Sequence, residues 1–412
     1  MSKVLKILFV TSRLPTHLSS GDRLRAYYLI KGLAKRGHVI DLLGFDDLSH
    51  PRQETDIHIL CRRIVPVHHD DLEMQHISRK SQMRDMLQGA RYGYPRRVWQ
   101  FHSSTMQLLF QELITKNSYD ILHFSEIGVA ELVHLTIGKD DCAKVFDLID
   151  AVSLSIRNSL LYRFDLTWLS RLVEAYQTKK FEMDLIKIVD SACVVSKRDY
   201  DYLGNSPRMR VINIGVDVPD YVQEIEKVFD LLFTGNMTMR ANVDAILWFT
   251  KQVWPLVRQK RPATSLYIVG KDPPPNVRSL ASDQVIVTGS VPNINWYHAR
   301  ARVFIAPLRY GAGQKIKLLE AFTHALPVVA THEANEGLGA QDGISILLKE
   351  SPQEMSAAIL ELLEDERKRL KIGLHAYQFL CENYNLERST DLLENLYAEA
   401  LNHAHSDAHA KG

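Results

Sequence analysis

The chain has 412 residues, more than one hydrophobic core ordinarily supports, so two domains are expected. Hydrophobic residues at 46% and charged residues at 24% exclude a disordered or membrane-spanning chain, and a net charge of +1 gives no global attraction for nucleic acid, which is not expected as a partner. The four cysteines, Cys61, Cys142, Cys193 and Cys381, form no CxxC pair, which argues against a zinc or redox motif and for reduced, buried thiols.

Residues 4–10 are mostly apolar but far short of the roughly 20 residues that cross a bilayer, so they read as a first core strand and the cytoplasm is the expected compartment. A polar loop leads to a helix over 23–36, with Leu24, Tyr27, Tyr28, Ile30, Leu33 and Ala34 at helical spacing, and then to a strand over 39–43. Such a strand, helix, strand unit builds parallel sheets. Strands follow at 120–124, 144–148, 191–195 and 211–214, with a long helix over 153–188 whose apolar positions include Trp168, Leu172, Tyr176 and Phe181. After residue 217 the pattern restarts: strands at 228–234, 265–269, 284–288, 303–307 and 327–331, helices over 243–258 and 316–324, and helices from 352 onward. The expected fold class is α/β, with two doubly wound, Rossmann-like domains over 1–217 and 218–385. A helix over 386–401 is expected to cross back to the first domain, and the tail 402–412, rich in His and Ala, to be disordered. Ligands of open parallel sheets bind beyond the carboxyl ends of the strands, so an inter-domain cleft is the expected site.

The most informative stretch runs from Arg309 to Ala321, directly after a strand. Gly311 and Gly313 allow backbone amides to approach a ligand closely, and the following helix start adds a positive dipole end, which together suit a phosphate. Lys315 and Lys317 add full charges, and Glu320 is placed to accept hydrogen bonds from a vicinal diol such as a ribose. A nucleoside diphosphate satisfies all three. The plainer alternative is a glycine turn followed by a solvated lysine face.

Residues 313–321 (GQKIKLLEA, with Gln314), 326–330 (LPVVA) and 336–338 (EGL) resemble the carboxyl-terminal signature of glycosyltransferase family 4. The resemblance extends to 233–237 with 242–245 and 248–249, to 267–270 and to 287–291, which brings Gly235, Asn236, Gly270 and Val291 into the donor loops. In the first half it includes Gly21 with Arg25, residues 37–39 and the stretch 212–217, so it covers nearly the whole chain. It implies the GT-B fold, with an acceptor-binding first domain, a second domain holding a UDP-, GDP- or dTDP-linked sugar, and transfer with retention of anomeric configuration and no metal or other cofactor. Where the family carries two glutamates eight positions apart, Glu320 matches the second and Ala312 stands at the first. Asn236 stands where a basic residue is usual, and the family's loop lysine falls near Asn242, which leaves the diphosphate to Arg309, Lys315, Lys317 or Arg240.

At the end of the strand over 120–124, Ser125 occupies the position of a histidine common in the family, and Glu126 follows as either an acceptor-side carboxylate or a solvated loop residue. Glu126, Ser125 and Lys317 are the catalytic candidates; His123 is read as structural. Gly21, Asp22, Arg25 and Asp150 complete the acceptor side, with Asp22 and Asp150 alternatively capping helices. The segment 79–99 mixes Arg79, Lys80, Arg84, Arg91, Arg96 and Arg97 with Met83, Met86, Leu87, Tyr92, Tyr94 and Trp99, a composition suited to the inner face of an anionic membrane or to a solvated acceptor loop. A sugar-containing or lipid-linked acceptor and a second copy of the chain are the further expected partners. The competing readings are a catalytically silent GT-B module that binds a partner transferase or a glycan, and a nicotinamide-dependent dehydrogenase, which the absence of GxGxxG after the first strand disfavours.

Overall fold

The computed structural model describes residues 3–18, 20–46, 55–68, 88–89, 91–139, 141–160, 168–223, 225–310 and 315–411. The chain divides into two compact units, 1–215 with 386–412, and 216–385.

The first unit is built on strands β1 (Lys6–Thr11), β2 (Val39–Asp46), β3 (Arg63–His68), β4 (Ile121–Ser125), β5 (Ala143–Ile149), β6 (Ser191–Val194) and β7 (Met209–Val211), in the order β3-β2-β1-β4-β5-β6-β7. All neighbouring strands are parallel. The strand side chains alternate between two cores: Leu8, Val10, Phe124 and Phe146 join one, Ile7, Phe9, Ile121 and Val145 the other. Helices cover both faces, so the strands read as continuous apolar runs instead of alternating ones. These helices are α1 (Gly21–Lys35), α2 (Ser104–Lys116), α3 (Val152–Leu160), α4 (Trp168–Ile188) and, from the far end of the sequence, the helix Leu386–Lys411. In that last helix Leu393, Leu396, Tyr397 and Ala400 are buried, and the Tyr397 hydroxyl meets His123 Nδ1 at 2.9 Å.

Two expectations change here. The tail from Asn402 is helical to Lys411, because Ala400 and Ala404 keep the buried face going. The single helix over 153–188 is two helices, with 161–167 outside the described residues. The buried face of α4 is Ala175, Thr178, Glu182, Leu185 and Ile186, while Trp168, Leu172 and Tyr176 are exposed.

The second unit carries β8 (Phe229–Thr234), β9 (Leu266–Val269), β10 (Val285–Gly289), β11 (Ala301–Ala306), β12 (Val328–Ala330) and β13 (Leu347–Leu348), parallel in the order β10-β9-β8-β11-β12-β13. The expected helix over 243–258 is α5 (Arg240–Trp248), a π-helical turn Phe249–Val253 and a further helix Trp254–Lys260. Pro255 has no amide to donate back along the helix, and the wider turn forms just ahead of it. Helices α6 (Ile316–Thr323), α7 (Pro352–Glu364) and α8 (Glu366–Asn383) follow. A Ser351–Glu354 capping box starts α7.

The first unit has an ionic centre. Arg25 of α1, fully buried, donates to Asp147 of β5 through Nε (2.6 Å) and Nη2 (3.0 Å), and through Nη1 to the Ile212 carbonyl (2.8 Å). Burial works against its charge, but the Asp147 carboxylate outweighs it and raises the guanidinium's pKa. Removing one partner strands the other in the core. Asp147→Ala is therefore expected to destabilise the first unit by about 3–5 kcal/mol, read from denaturant unfolding of the full chain.

Candidate functional site

In each sheet the strand order reverses once, between β1 and β4 in the first and between β8 and β11 in the second. Chain segments leave such a switch point in opposite directions and open a crevice at the carboxyl edge. The candidate residues gather at these two edges.

At the second edge Gly235 follows β8 and Gly270 follows β9. A Cβ on Gly270 would fall 1.8 Å from the Gly235 carbonyl oxygen, and a Cβ on Gly235 would lie 2.8 Å from Asn242 Nδ2 and 2.9 Å from Lys317 Nζ. Only glycines leave room for this convergence. Lys317, in the first turn of α6, is half-buried; its ammonium donates to Asn242 Oδ1 at 2.6 Å and sits 4.8 Å from the centre of the Phe233 ring. Asn242 Nδ2 in turn donates to the Asn236 carbonyl at 2.8 Å. Desolvation, reinforced by neighbouring Lys315, pushes the Lys317 pKa down to about 7, with Glu320 pulling the other way. Glu320, three residues on and half-buried, is raised by desolvation against the pull of Lys317.

The remaining donor candidates divide. Arg309 is held in a two-point ion pair by Asp244, with Nε 2.8 Å from Oδ2, so its charge is already largely balanced. Arg240 opens α5 and is exposed. The Asn236 side chain turns inward on its own loop and accepts from Thr238 N at 3.0 Å and from the Thr238 hydroxyl at 2.8 Å. Val291 is half-buried beyond β10. Beyond β9 and β10 lies a cavity of about 470 Å³ lined by Asp272, Pro273, Arg278, Val287, Thr288 and Ser290. Gly311, Ala312, Gly313 and Gln314 lie outside the described residues, immediately before Lys315.

At the first edge Ser12 follows β1, Glu126 follows β4 and Asp150 follows β5. Ser12 and Ser125 are fully buried, and neither hydroxyl has a hydrogen-bond partner; the same holds for the buried Oε2 of Glu126. Desolvation and the nearby Asp22 push the Glu126 pKa up to about 7 against Arg13 and Ser12, with Asp150 adding to the rise. Glu126 (φ 75°) and Ile149 (φ 65°) both hold the left-handed backbone region, at the ends of adjacent strands. For the β-branched Ile149 this is a true outlier, and such strain concentrates at functional sites.

Two acceptor-side expectations are corrected. Arg25 is locked in the core by Asp147 and reaches no ligand. Asp22 does not cap α1: it lies in the first turn and accepts from Arg13 at 3.3 Å, while the cap position is Ser20, whose hydroxyl is buried and unpartnered. Gly21 opens that helix. Of the amides opening α3, that of Ser153 donates to Glu182 at 3.3 Å. Arg97, read in the sequence only as part of a basic segment, lies within electrostatic reach of Glu126 and Asp150. No motif marks it, because the fold brings it there from a separate loop. His123 is buried against Phe9 and pushed down to about 4 by desolvation, as befits a structural residue.

Residues 228–365 match the family model described as Glycosyl transferases group 1. An uncharacterised 44.6 kDa protein in the cps region of Klebsiella pneumoniae is 25% identical over 173 residues, 39% of this chain and 43% of that protein, so the chain matches less than half of this relative's length. Among solved structures, sucrose-phosphate synthase from Thermosynechococcus elongatus superposes with a TM-score of 0.69 at 14% identity, over 96% of this chain and 98% of that one. TarM from S. aureus, solved with fondaparinux, alpha-GlcNAc-glycerol and UDP, gives 0.65 at 13% over 96% and 100%. HepE from Anabaena, solved with UDP-glucose, gives 0.63 at 14% over 96% and 99%. At these identities the likeness is one of fold, the GT-B fold of two Rossmann-like units. The converging Gly235, Gly270 and Lys317 loops thus lie in the stretch, residues 228–365, that is similar to the glycosyl transferases group 1 model.

Proposed function

We propose that the protein is a glycosyltransferase that takes its sugar from a nucleoside diphosphate donor at the carboxyl edge of the second sheet and passes it to an acceptor hydroxyl held at the edge of the first. The observation that carries this reading is Lys317: a half-buried ammonium, contacted by an amide oxygen and a ring face, whose pKa has fallen to about 7. An anionic ligand there would restore the proton and the full charge. The amides of Gly311, Gly313 and Gln314 and the charges of Lys315 and Arg240 are assigned to the same diphosphate, Glu320 to the ribose diol, and Gly270, Val291 and the neighbouring cavity to the base. UDP-sugars are the first donors to test, since HepE was solved with UDP-glucose and TarM with UDP; GDP- and dTDP-sugars are the alternatives.

Transfer is proposed to retain the anomeric configuration and to need no metal. As the bond from the anomeric carbon to the diphosphate breaks, charge grows on the leaving oxygen, and the Lys317 ammonium donates to it. The same leaving oxygen accepts the acceptor's proton as the new bond forms on the same face of the sugar. No strong base is then required of the protein, which suits a buried His123 and a serine at position 125. Glu126 accepts a hydrogen bond from the acceptor and orients it, with the Ser12 and Ser125 hydroxyls close behind.

One set of observations favours the silent-module reading: Asn236 is occupied with its own loop, Arg309 is paired by Asp244, and Ala312 replaces a family carboxylate. Slow hydrolysis of a UDP-sugar by the isolated protein, or transfer to any acceptor, separates the two.

Lys317 must be protonated to hold a diphosphate, so UDP-glucose affinity is expected to fall as pH rises above about 7, approaching tenfold per pH unit, and Lys317→Met to bind weakly at every pH with no such slope. Isothermal titration from pH 6 to 9 reads both. Glu126 accepts from the acceptor only when ionised, so kcat/KM for the acceptor should rise with pH through about 7. Glu126→Gln should lose that rise and lower kcat/KM by about 10–100-fold, with donor affinity unchanged. Addition of EDTA should leave the rate unaltered, and an NMR-resolved product anomer opposite to the donor's would contradict retention.

A further inference from the structure

Helix α4 turns a large apolar face to solvent. Trp168 is 39% exposed, Leu169 66%, Leu172 41%, Val173 48% and Tyr176 73%. Their spacing of i, i+1, i+4, i+5 and i+8 gathers all five on one side of the helix. The opposite side is the one that packs into the unit, so folding does not require this face. A contiguous apolar patch of this kind is uncommon on a monomer and marks a contact surface.

The charges along the helix indicate the kind of contact. Toward its carboxyl end the exposed side adds Lys180 and Lys187, with Lys179 half-buried beside them. Asp184 is the exposed acid among these lysines, and it ion-pairs with Lys187 at 2.9 Å. The other two acids of the helix are turned away: Glu174 receives Arg96 at 3.0 Å, and Glu182 is buried under Ser153. The Arg96 pair fixes residues 91–99 to the side of α4 that Glu174 faces, away from the apolar residues.

We infer that the outer face of α4 seats the protein on an anionic lipid bilayer. Trp168 and Tyr176 have the amphipathic rings that settle at headgroup level, Leu169, Leu172 and Val173 reach the acyl boundary, and the lysines extend along the surface to the headgroup phosphates. A protein partner more commonly meets a rim with the two charge signs in balance, whereas here Lys179, Lys180 and Lys187 outnumber Asp184, the exposed acid of the helix. No helix among the described residues is long and apolar enough to cross a membrane, so the attachment is peripheral. The inference stands apart from sugar transfer, because it rests on a face that contains no donor or acceptor candidate.

The full chain is expected to co-sediment with phosphatidylcholine vesicles containing phosphatidylglycerol, to stay in solution with phosphatidylcholine alone, and to be released by high salt. Leu169→Glu with Val173→Glu should weaken that binding by about tenfold or more, while thermal unfolding and UDP-glucose affinity stay as in the wild type, since both side chains are exposed. Failure to sediment with the anionic vesicles, or equal sedimentation of the double variant, would overturn the inference. So would a dimer, seen by light scattering, that the double variant splits, because the face would then belong to a second copy.

Discussion

The functional reading depends on one electrostatic imbalance, a lysine ammonium taken partly out of water without a carboxylate in hydrogen-bonding contact. Lys317 has an amide oxygen and a ring face, both weaker than an ion pair, and the cost shows as a pKa pushed down to about 7. Arg25 is the instructive contrast. It is buried more completely, yet the two-point contact with Asp147 raises its pKa. One cation is finished by the protein and serves the fold, while the other is left to be finished by a ligand. A carboxylate placed on Lys317 would relieve the imbalance and occupy the site. Asp244 shows that alternative nearby, where it takes up Arg309.

Asp147 links the core of the first unit to its functional edge. Its carboxylate holds Arg25, its Oδ1 accepts from Ile149 N at 3.1 Å, and its carbonyl oxygen accepts from Glu126 N at 2.9 Å. The two residues those amides belong to are both in the left-handed region, where such conformations cost about 1–3 kcal/mol each. Strain at an edge persists only when its surroundings over-determine it. Here a buried ion pair fixes the backbone on which Glu126 is presented.

Much of this was legible in the sequence wherever both faces of a strand are covered. The runs at 7–10 and 303–307 are apolar without alternation, and both lie in central or near-central strands. Two edge strands were not legible: β3 carries Arg63, Pro66 and His68, and β13 has two residues, whereas the edge strands β7 and β10 were expected at 211–214 and 284–288. The glycine and lysine signals around 235, 270 and 317 pointed to residues that do converge, because close approach requires glycine wherever it occurs. Arg25 misled, since a guanidinium near a first loop reads the same whether a ligand or a buried Asp147 awaits it, and only the tertiary structure places the aspartate. The exposure of the α4 face was not legible for a related reason. Periodicity reports that apolar residues share a side of a helix, but not whether that side meets the protein or something else.

The two switch points differ in the charge they present, and this difference assigns their ligands. The edge of the first sheet nearly balances Asp22, Glu126 and Asp150 against Arg13 and Arg97, and Glu126 is close to half-protonated at neutral pH. A diphosphate gains little from such a surface, whereas a ligand rich in hydroxyls finds unpartnered oxygens in Ser12, Ser125 and Glu126 that both donate and accept. The edge of the second sheet places Lys315 and Glu320 within electrostatic reach of Lys317, whose ammonium lies against Gly235. A neutral sugar would leave those charges as costly as they were before, and a diphosphate would not. The proposed placement, donor at α6 and acceptor beside Glu126, is the one in which the diphosphate meets the Lys317 ammonium and the hydroxyl-rich ligand meets Ser125 and Glu126.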